Sequence, residues 1–578
     1  MCSATRRLWP AALLLGAVLG VSATCHLAFG GTEQVKPVGS KRPYNVLFVI
    51  CDQEAYRLFA KEDYKLPARE ELKRRGVTFR NHYIGSAVCT PSRAMIYTGT
   101  PPQKNGVFDQ MSFGIVPNLR PEQANMGSIL KSTGYRTAFF GKFELNLELL
   151  RANHKTVNTS EGLKPYGFDV FNSDGDTSGA QQQGFEEDNY FAAEGVRWLR
   201  TDAPKLRKGG QPFFMVMSLL NPHDIMFADT NPPGQPPVQK PVLKSLMKPP
   251  PPSAIYERKW DFPLSPSLGE SLKAPGMPSA LFEYNKGWAG VFGTIPTDRK
   301  DMWYSYYNYY LNCIRDSDRT LHELIHALDD LDLWKDTVVV FTADHGEMGG
   351  AHGGLRGKGP MCYEANAHVP LIVVHPNGKA GTSCDALTSH IDMLPTFVGL
   401  TGVPEAKRPA ALKGLPGRDF SALVADPEKA ELHALRPGVL FNYVGLTTVD
   451  GDYYVSIFLS LAERKKPPAL TDVKLGNRGF MSFVFDGRYK LARFYAPNDF
   501  NTPKTLEQLF KHNDVQVFDL KTDPNEMTNL ALEREKNKDT IQRLNTLLNE
   551  LMAREVGAND GSFLPEAVRP KVPTKSTD

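Results

Sequence analysis

Asn45-Val-Leu-Phe-Val-Ile-Cys51 runs without a charge and stops against Asp52-Gln53. The run is β-branched and aromatic, with no polar alternation, so it predicts a strand buried on both faces of a parallel sheet. Pro212-Phe-Phe-Met-Val-Met-Ser218, Thr337-Val-Val-Val-Phe341 and Val369-Pro-Leu-Ile-Val-Val374 are runs of the same kind. Helical patterns lie between them, as at Glu70 to Arg75 and Met126 to Ser132. Strands alternating with helices predict an α/β fold with a large, mostly parallel sheet sandwiched by helices. Such sheets bind ligands beyond the carboxyl ends of their strands. From about Arg436 the pattern changes to short strands at Val439 to Asn442, Tyr453 to Leu459, Phe480 to Phe485 and Tyr489 to Phe494. A helix follows from about Ala531 to Arg554. The expected layout is a catalytic domain over 40–430 and a smaller α+β subdomain with an antiparallel sheet over 436–578.

The chain has 578 residues, 41% hydrophobic and 23% charged, with a net charge of +3, which is the profile of a globular protein. That small charge, with no basic run, excludes nucleic acid as an expected partner. Arg6 and Arg7 precede an uncharged run from Leu8 to about Ser22. This predicts a signal peptide over 1–23, or extending to about 30, and hence export to a periplasm, an extracellular space or a secretory lumen. An uncleaved anchor is the alternative, though the run is short for a span, and no other segment suits a bilayer. The seven Cys residues are too few for a disulfide scaffold. Cys313, Cys362 and Cys384 are the candidates for pairing, and Asn158-Thr159-Ser160 is a glycosylation sequon. Residues 231–253 are Pro-rich and read as an extended loop. The loop follows His223 closely enough to wall a cleft, or it is a plain insertion.

Cys89-Thr-Pro-Ser-Arg-Ala94 carries the chemistry. Pro91 suits the first turn of a helix, which places Cys89 at a helix N-terminus where free N–H groups favour an anion. Arg93 adds a fixed positive charge. The bland alternative is a buried structural Cys. Two metal sites compete. Asp52, Gln53, Asp344 and His345 follow strands and offer two carboxylates, an amide oxygen and an imidazole, a set that favours Ca²⁺ or Mg²⁺ and admits Mn²⁺. His322-Glu323-Leu-Ile-His326 has the H-E-x-x-H spacing of a zinc protease. That reading needs a third ligand, and Asp329 stands where the longer pattern needs Gly. Leu311, Ile314, Leu321, Ile325 and Leu328 make an apolar stripe beside these histidines, so they read as boundary residues of a packing helix.

Taken in order, the motifs resemble the type I sulfatases of the alkaline phosphatase-like superfamily. They are Asn45 to Gln53, Cys89 to Arg93 with Thr98-Gly99, Gly134 to Lys142, Asn221-Pro-His223, Phe341 to Glu347, Gly350 to Gly359, Tyr363-Glu364, Val369-Pro370, Ser389 to Thr396 and Asp486 to Lys490. The resemblance covers nearly the whole chain beyond the leader. It implies that a formylglycine-generating enzyme oxidises Cys89 to formylglycine, whose hydrate attacks the sulfur of a sulfate ester. It implies one divalent cation, most simply Ca²⁺, held by Asp52, Gln53, Asp344 and His345. Arg93, Lys142, His223 and Lys358 complete the implied site, with His223 as acid to the leaving alkoxide and the lysines against sulfate oxygens. The family's His two residues beyond the Lys is replaced here by Glu144, which is either a substitute base or a substrate contact. The implied substrate is a sulfated saccharide or small organic sulfate, with aromatic residues near Trp303 to Tyr310 available to stack on a sugar or to pack the core. A phosphonate monoester hydrolase or phosphodiesterase of the same superfamily shares enough of these motifs to be the alternative. A non-catalytic protein with an unmodified Cys89 is the remote one.

Overall fold

The computed structural model describes residues 43–152 and 159–570. The leader and Asn158 of the sequon lie outside them. Among the described residues no helix is long and apolar enough to cross a membrane.

Asn45–Cys51 is the third strand of a seven-stranded sheet, flanked on both sides by parallel neighbours. The order across it is Arg136–Gly141, Phe213–Leu219, Asn45–Cys51, Thr337–Ala343, Leu371–Val374, Val77–Phe79 and Thr382–Cys384. The first four strands are parallel. Leu371–Val374, expected from its apolar run to extend the parallel set, instead pairs antiparallel with both neighbours. An apolar run reports burial on two faces but not strand direction.

Every residue of Asn45–Cys51 is buried, because both faces are covered. Val46, Phe48 and Ile50 face the helices Cys89–Thr98, Met126–Ser132 and Met393–Leu400. Leu47, Val49 and Cys51 face Pro67–Arg75, Gln183–Thr201 and Lys300–Asp330. Each such side chain, removed wholly from water, contributes roughly 1.5–3 kcal/mol.

A second, four-stranded antiparallel sheet runs Val439–Tyr443, Phe480–Phe485, Tyr489–Tyr495, Asp514–Asp519. Its Leu440, Val484, Leu491 and Val517 pack on the Arg534–Leu551 helix. Its Phe441, Phe483, Ala492 and Phe518 join the same core as Val46, Phe48 and Ile50. The closing helix begins three residues later than expected and ends in a wider π-type turn over Met552–Val556.

Tyr453–Leu459, read as a strand, is helical. The helix is Gly451–Ala462, with the Asp450 carboxylate accepting from the Asp452 N–H. Its aromatic and β-branched residues suit strands, but strand propensity yields to packing. Here the helix lies against Ser279–Phe292. A Cβ on Gly287 would stand 3.1 Å from the Tyr454 side chain, and one on Gly290 would stand 2.5 Å from Val455. Small residues on one helix let the other approach.

Gly141 links fold to site. It ends its strand at φ +99°, and a Cβ there would sit 1.9 Å from the Ser218 carbonyl oxygen of the neighbouring strand. Gly141→Ala is expected to cost roughly 2–4 kcal/mol through overpacking and a left-handed backbone. An earlier urea unfolding transition is the check; an unchanged midpoint would refute it.

Candidate active site

The parallel register brings the strand ends level. Cys51 pairs with Ala343 on one side and Leu219 on the other, and Gly141 pairs with Ser218. The residues that follow therefore meet at one edge: Asp52-Gln53, Asp344-His345, Lys142 and the Leu220–His223 turn. The helix Cys89–Thr98 points its N-terminus there, all ten of its residues buried, with Pro91 in its first turn.

Cys89 Sγ lies 3.2 Å from His345 Nε2 and 3.7 Å from Asp52 Oδ1. One ligand atom each from Asp52, Cys89, Asp344 and His345 fall within 4.8 Å of one another. His345 Nδ1 contacts the Gly346 carbonyl at 3.1 Å, which makes it the protonated nitrogen and turns the Nε2 lone pair inward. The Gln53 amide oxygen accepts from Lys358 Nζ at 2.5 Å, and its NH₂ donates to Glu347. The two carboxylates and the imidazole of this cluster, with Cys89 beside them, fit a hard divalent cation.

The two carboxylates are fully buried and compensated. Arg93 spans both, with Nε 3.0 Å from Asp344 and Nη2 3.1 Å from Asp52. Its Nη1 donates to the Lys142 carbonyl at 2.8 Å and the Ser218 hydroxyl at 2.6 Å. Lys142 Nζ lies 2.8 Å from Asp52 and 3.1 Å from Glu144. Burial favours a neutral Asp52, but Lys142, His223 and Arg93 hold it well below the usual carboxylate range. Asp344 goes the other way, to about 6, through burial and the nearby Asp52 charge. Burial and Asp52 push the Cys89 thiol up to about 12, so the encoded thiol is a poor nucleophile at neutral pH.

Glu144 is fully buried at φ +55°. Its Oε1 accepts from Gln110 at 2.6 Å, and burial lifts its carboxyl to about 7 against the pull of Lys142 and Arg93. His223 is buried, and its Nδ1 has no hydrogen-bond partner among the described residues. Burial, then Lys358, depresses its pKa well below that of free histidine. Gly179 lies flat against this ring; a Cβ there would be 2.8 Å from Nδ1.

All ten residues expected at the site are therefore brought to one end of the sheet. The sequence reading missed the groups that hold them. Asp176 accepts from the backbone N–H groups of Phe143 and Glu144, each at 2.8 Å. Asp188 accepts from those of Leu220 and Asn221 at 2.6 and 2.9 Å. Glu347 accepts from Tyr306 at 3.0 Å and from the Gly349 and Gly357 N–H groups at 2.8 and 2.9 Å. Glu347 lies in a quoted motif, but nothing local marks the aspartates.

The rival constellation does not assemble. His322 and His326 are exposed on the Lys300–Asp330 helix, their ring centroids 6.1 Å apart, and they belong to no cluster of metal-ligating residues among those described. Trp303, Tyr306, Tyr309 and Tyr310 are core residues, and the Tyr310 hydroxyl donates to the Gln53 carbonyl at 2.6 Å. Cys313, Cys362 and Cys384 are buried and unpaired with one another.

Arg93→Met would leave Asp52 and Asp344 buried with one cation fewer. The expected loss is about 3–5 kcal/mol of unfolding free energy in chelated protein, measured by urea denaturation. A loss below about 1 kcal/mol would show that Arg93 is not the clamp.

A sequence model of the Sulfatase family matches residues 44–403. Arylsulfatase K of Gallus gallus is 26% identical over 559 residues, covering 94% of this chain and 87% of that protein. Arylsulfatase K of Homo sapiens is 28% identical over 432 residues, covering 68% and 69%. Among solved structures, a 2-O GAG sulfatase superposes with a TM-score of 0.62 at 18% identity, over 89% of this chain and 93% of that one. A phosphonate monoester hydrolase from Silicibacter pomeroyi gives 0.59 at 20%, over 89% and 96%. Those two likenesses establish the alkaline phosphatase-like architecture, and the match to the family across more than half of its length establishes that this chain is a sulfatase.

Proposed function

We propose that this sulfatase uses Cys89, converted to formylglycine by a formylglycine-generating enzyme, as its nucleophile beside one divalent cation. The observation that carries the reading is Cys89 at a helix N-terminus, 3.2 Å from His345 and 3.7 Å from Asp52. Asp52, Asp344, His345 and the Gln53 amide oxygen would hold the cation. Their hard, oxygen-rich character favours Ca²⁺, with Mg²⁺ or Mn²⁺ as substitutes. When bound, a cation lowers the pKa of a hydroxyl beside it and offsets charge on sulfate.

The chain's own groups do the rest. Arg93 keeps Asp52 and Asp344 charged and aimed at one point. Lys142 and Lys358 face the sulfate oxygens, where negative charge develops. His223 is the acid for the leaving alkoxide. Its imidazole is neutral in the free enzyme, and an incoming sulfate anion beside Lys358 raises its basicity so that it takes up the proton it must deliver. Glu144 is the base for the step that frees sulfate. It sits where the family's His is missing, ion-paired to Lys142 at 3.1 Å. The leader-like residues 1–23 support an exported enzyme, with a sulfated saccharide or small organic sulfate as substrate.

Peptide mass spectrometry of protein from its native host should show about 18 Da lost at Cys89, the change from thiol to aldehyde. An unmodified Cys89 in active enzyme would sink the nucleophile assignment. Phosphonate monoester turnover exceeding sulfate ester turnover in kcat/KM would move the substrate to the alternative class.

Glu144 gives a pH signature. A base with a pKa of about 7 is active when deprotonated, so kcat should rise through neutral pH and level off above it. Glu144→Gln should lower kcat roughly 10²–10⁴-fold and remove that acidic limb. Retention of the limb would assign it to another group.

A further inference from the structure

A cavity of about 360 Å³ opens over Cys89, His223 and Lys358. Its outer wall comes from three segments that no catalytic motif includes. Tyr284 and Trp288 stand on the Ser279–Phe292 helix. Tyr454, Phe458 and Leu461 stand on the Gly451–Ala462 helix, and Leu243 and Leu246 on the Pro-rich loop. The rings brace one another: Tyr284 stacks on Trp288 at 5.5 Å, and Phe458 meets Phe113 at 5.5 Å and Tyr454 at 5.1 Å.

The charge pattern is as informative. Among the described residues lining the cavity, Lys358 is the only Lys or Arg, and it faces the sulfate end. Among those same described residues the only carboxylate is Asp109. It is 2% exposed and held by the Gln110 and Thr447 N–H groups at 2.7 and 2.9 Å and the Thr447 hydroxyl at 3.1 Å. A second sulfate or a uronate carboxylate would be stripped of water here with no cation to meet it and with Asp109 facing it.

We propose that the cavity takes the sulfate ester of one apolar, ring-sized alcohol that carries no second negative charge. This rests on the sulfatase reading above and names the leaving group. Burying about 100 Å² of apolar ring surface is worth roughly fifty-fold in affinity. A cavity this size, whose aromatic and aliphatic wall is interrupted by neutral polar side chains such as Ser112, Gln181 and Thr448, is of the kind that encloses a small organic ligand. The Gly451–Ala462 helix is the specificity element, since it supplies three of the apolar side chains and comes from the chain beyond the matched family region.

The test compares cyclohexylmethyl sulfate with D-glucosamine 6-sulfate and D-glucosamine-2-N,6-O-disulfate on host-matured enzyme. All three lose a primary alkoxide at the scissile ester, so intrinsic reactivity is matched and the difference reads the cavity. The expected result is a kcat/KM for the cyclohexylmethyl ester at least about fifty-fold above either sugar. Phe458→Ala, with its melting temperature checked, should raise KM for that ester roughly tenfold and change kcat less than about threefold. Either sugar outrunning the apolar ester, or an unchanged KM in Phe458→Ala, would overturn the proposal. Calorimetric binding of 2-naphthalenesulfonate and of D-glucosamine 6-sulfate separates this failure from failure of the enzyme reading. If no ester is hydrolysed, the enzyme reading falls. Tighter binding of the sulfonate then still supports an apolar cavity, and tighter binding of the sugar overturns it.

Discussion

Two buried carboxylates held against one guanidinium organise this end of the molecule. Asp52 and Asp344 leave adjacent parallel strands at the same level, so the sheet itself forces like charges together in the buried interior. Left alone, such a pair would shed its charge by protonation. Arg93 prevents that by donating to both at 3.0 and 3.1 Å, and it rides on the helix that begins with Cys89. The charge balance of the two carboxylates and the position of the proposed nucleophile are therefore one constraint. Moving the helix would break the clamp, and breaking the clamp would leave uncompensated charge in the core.

The loops that bring the other groups are held by a repeated device. A buried carboxylate from another segment accepts two successive backbone N–H groups: Asp176 beneath Phe143-Glu144, Asp188 beneath Leu220-Asn221, and Asp224 beneath Gly184-Phe185. Burial raises all three carboxyls, Asp176 to about 6 and Asp224 to about 7, so each bond counts at about 0.5–1.5 kcal/mol, and the two bonds of an anchor offset part of the cost of ordering a short turn. The helix anchored by Asp224 starts just past Gly179, which lies against the His223 ring. Lys142 and Glu144 thus gain fixed positions without sitting on regular elements, and His223 is held at the start of the short 3₁₀ helix His223–Phe227.

Legibility followed the range of the interaction. The central strands could be read because burial on two faces leaves an apolar run in one short segment. The site residues could be read because each lies just past such a run or within a short motif such as Cys89 to Arg93. The anchoring aspartates could not, since each is an ordinary acid until the fold sets it under a particular turn. The direction of Leu371–Val374 escaped for a related reason: its composition records burial, while its pairing depends on where the chain enters the sheet. His322 and His326 show the converse, a strong local spacing that the fold leaves exposed with no third ligand.

The sequence by itself determined the core strands, the candidate ligands at their ends and the Cys89 motif, because these are properties of contiguous residues. Only the tertiary structure decided what surrounds the scissile bond. Gly451–Ala462 has the residues of a strand and became a helix because Gly287 and Gly290 of another helix open a space for it. That packing turned Tyr454, Phe458 and Leu461 into the wall of a cavity more than 350 residues along the chain from Cys89. Contacts at that separation leave no periodicity or spacing to read, and they exist only once the sheet has brought the strand ends level.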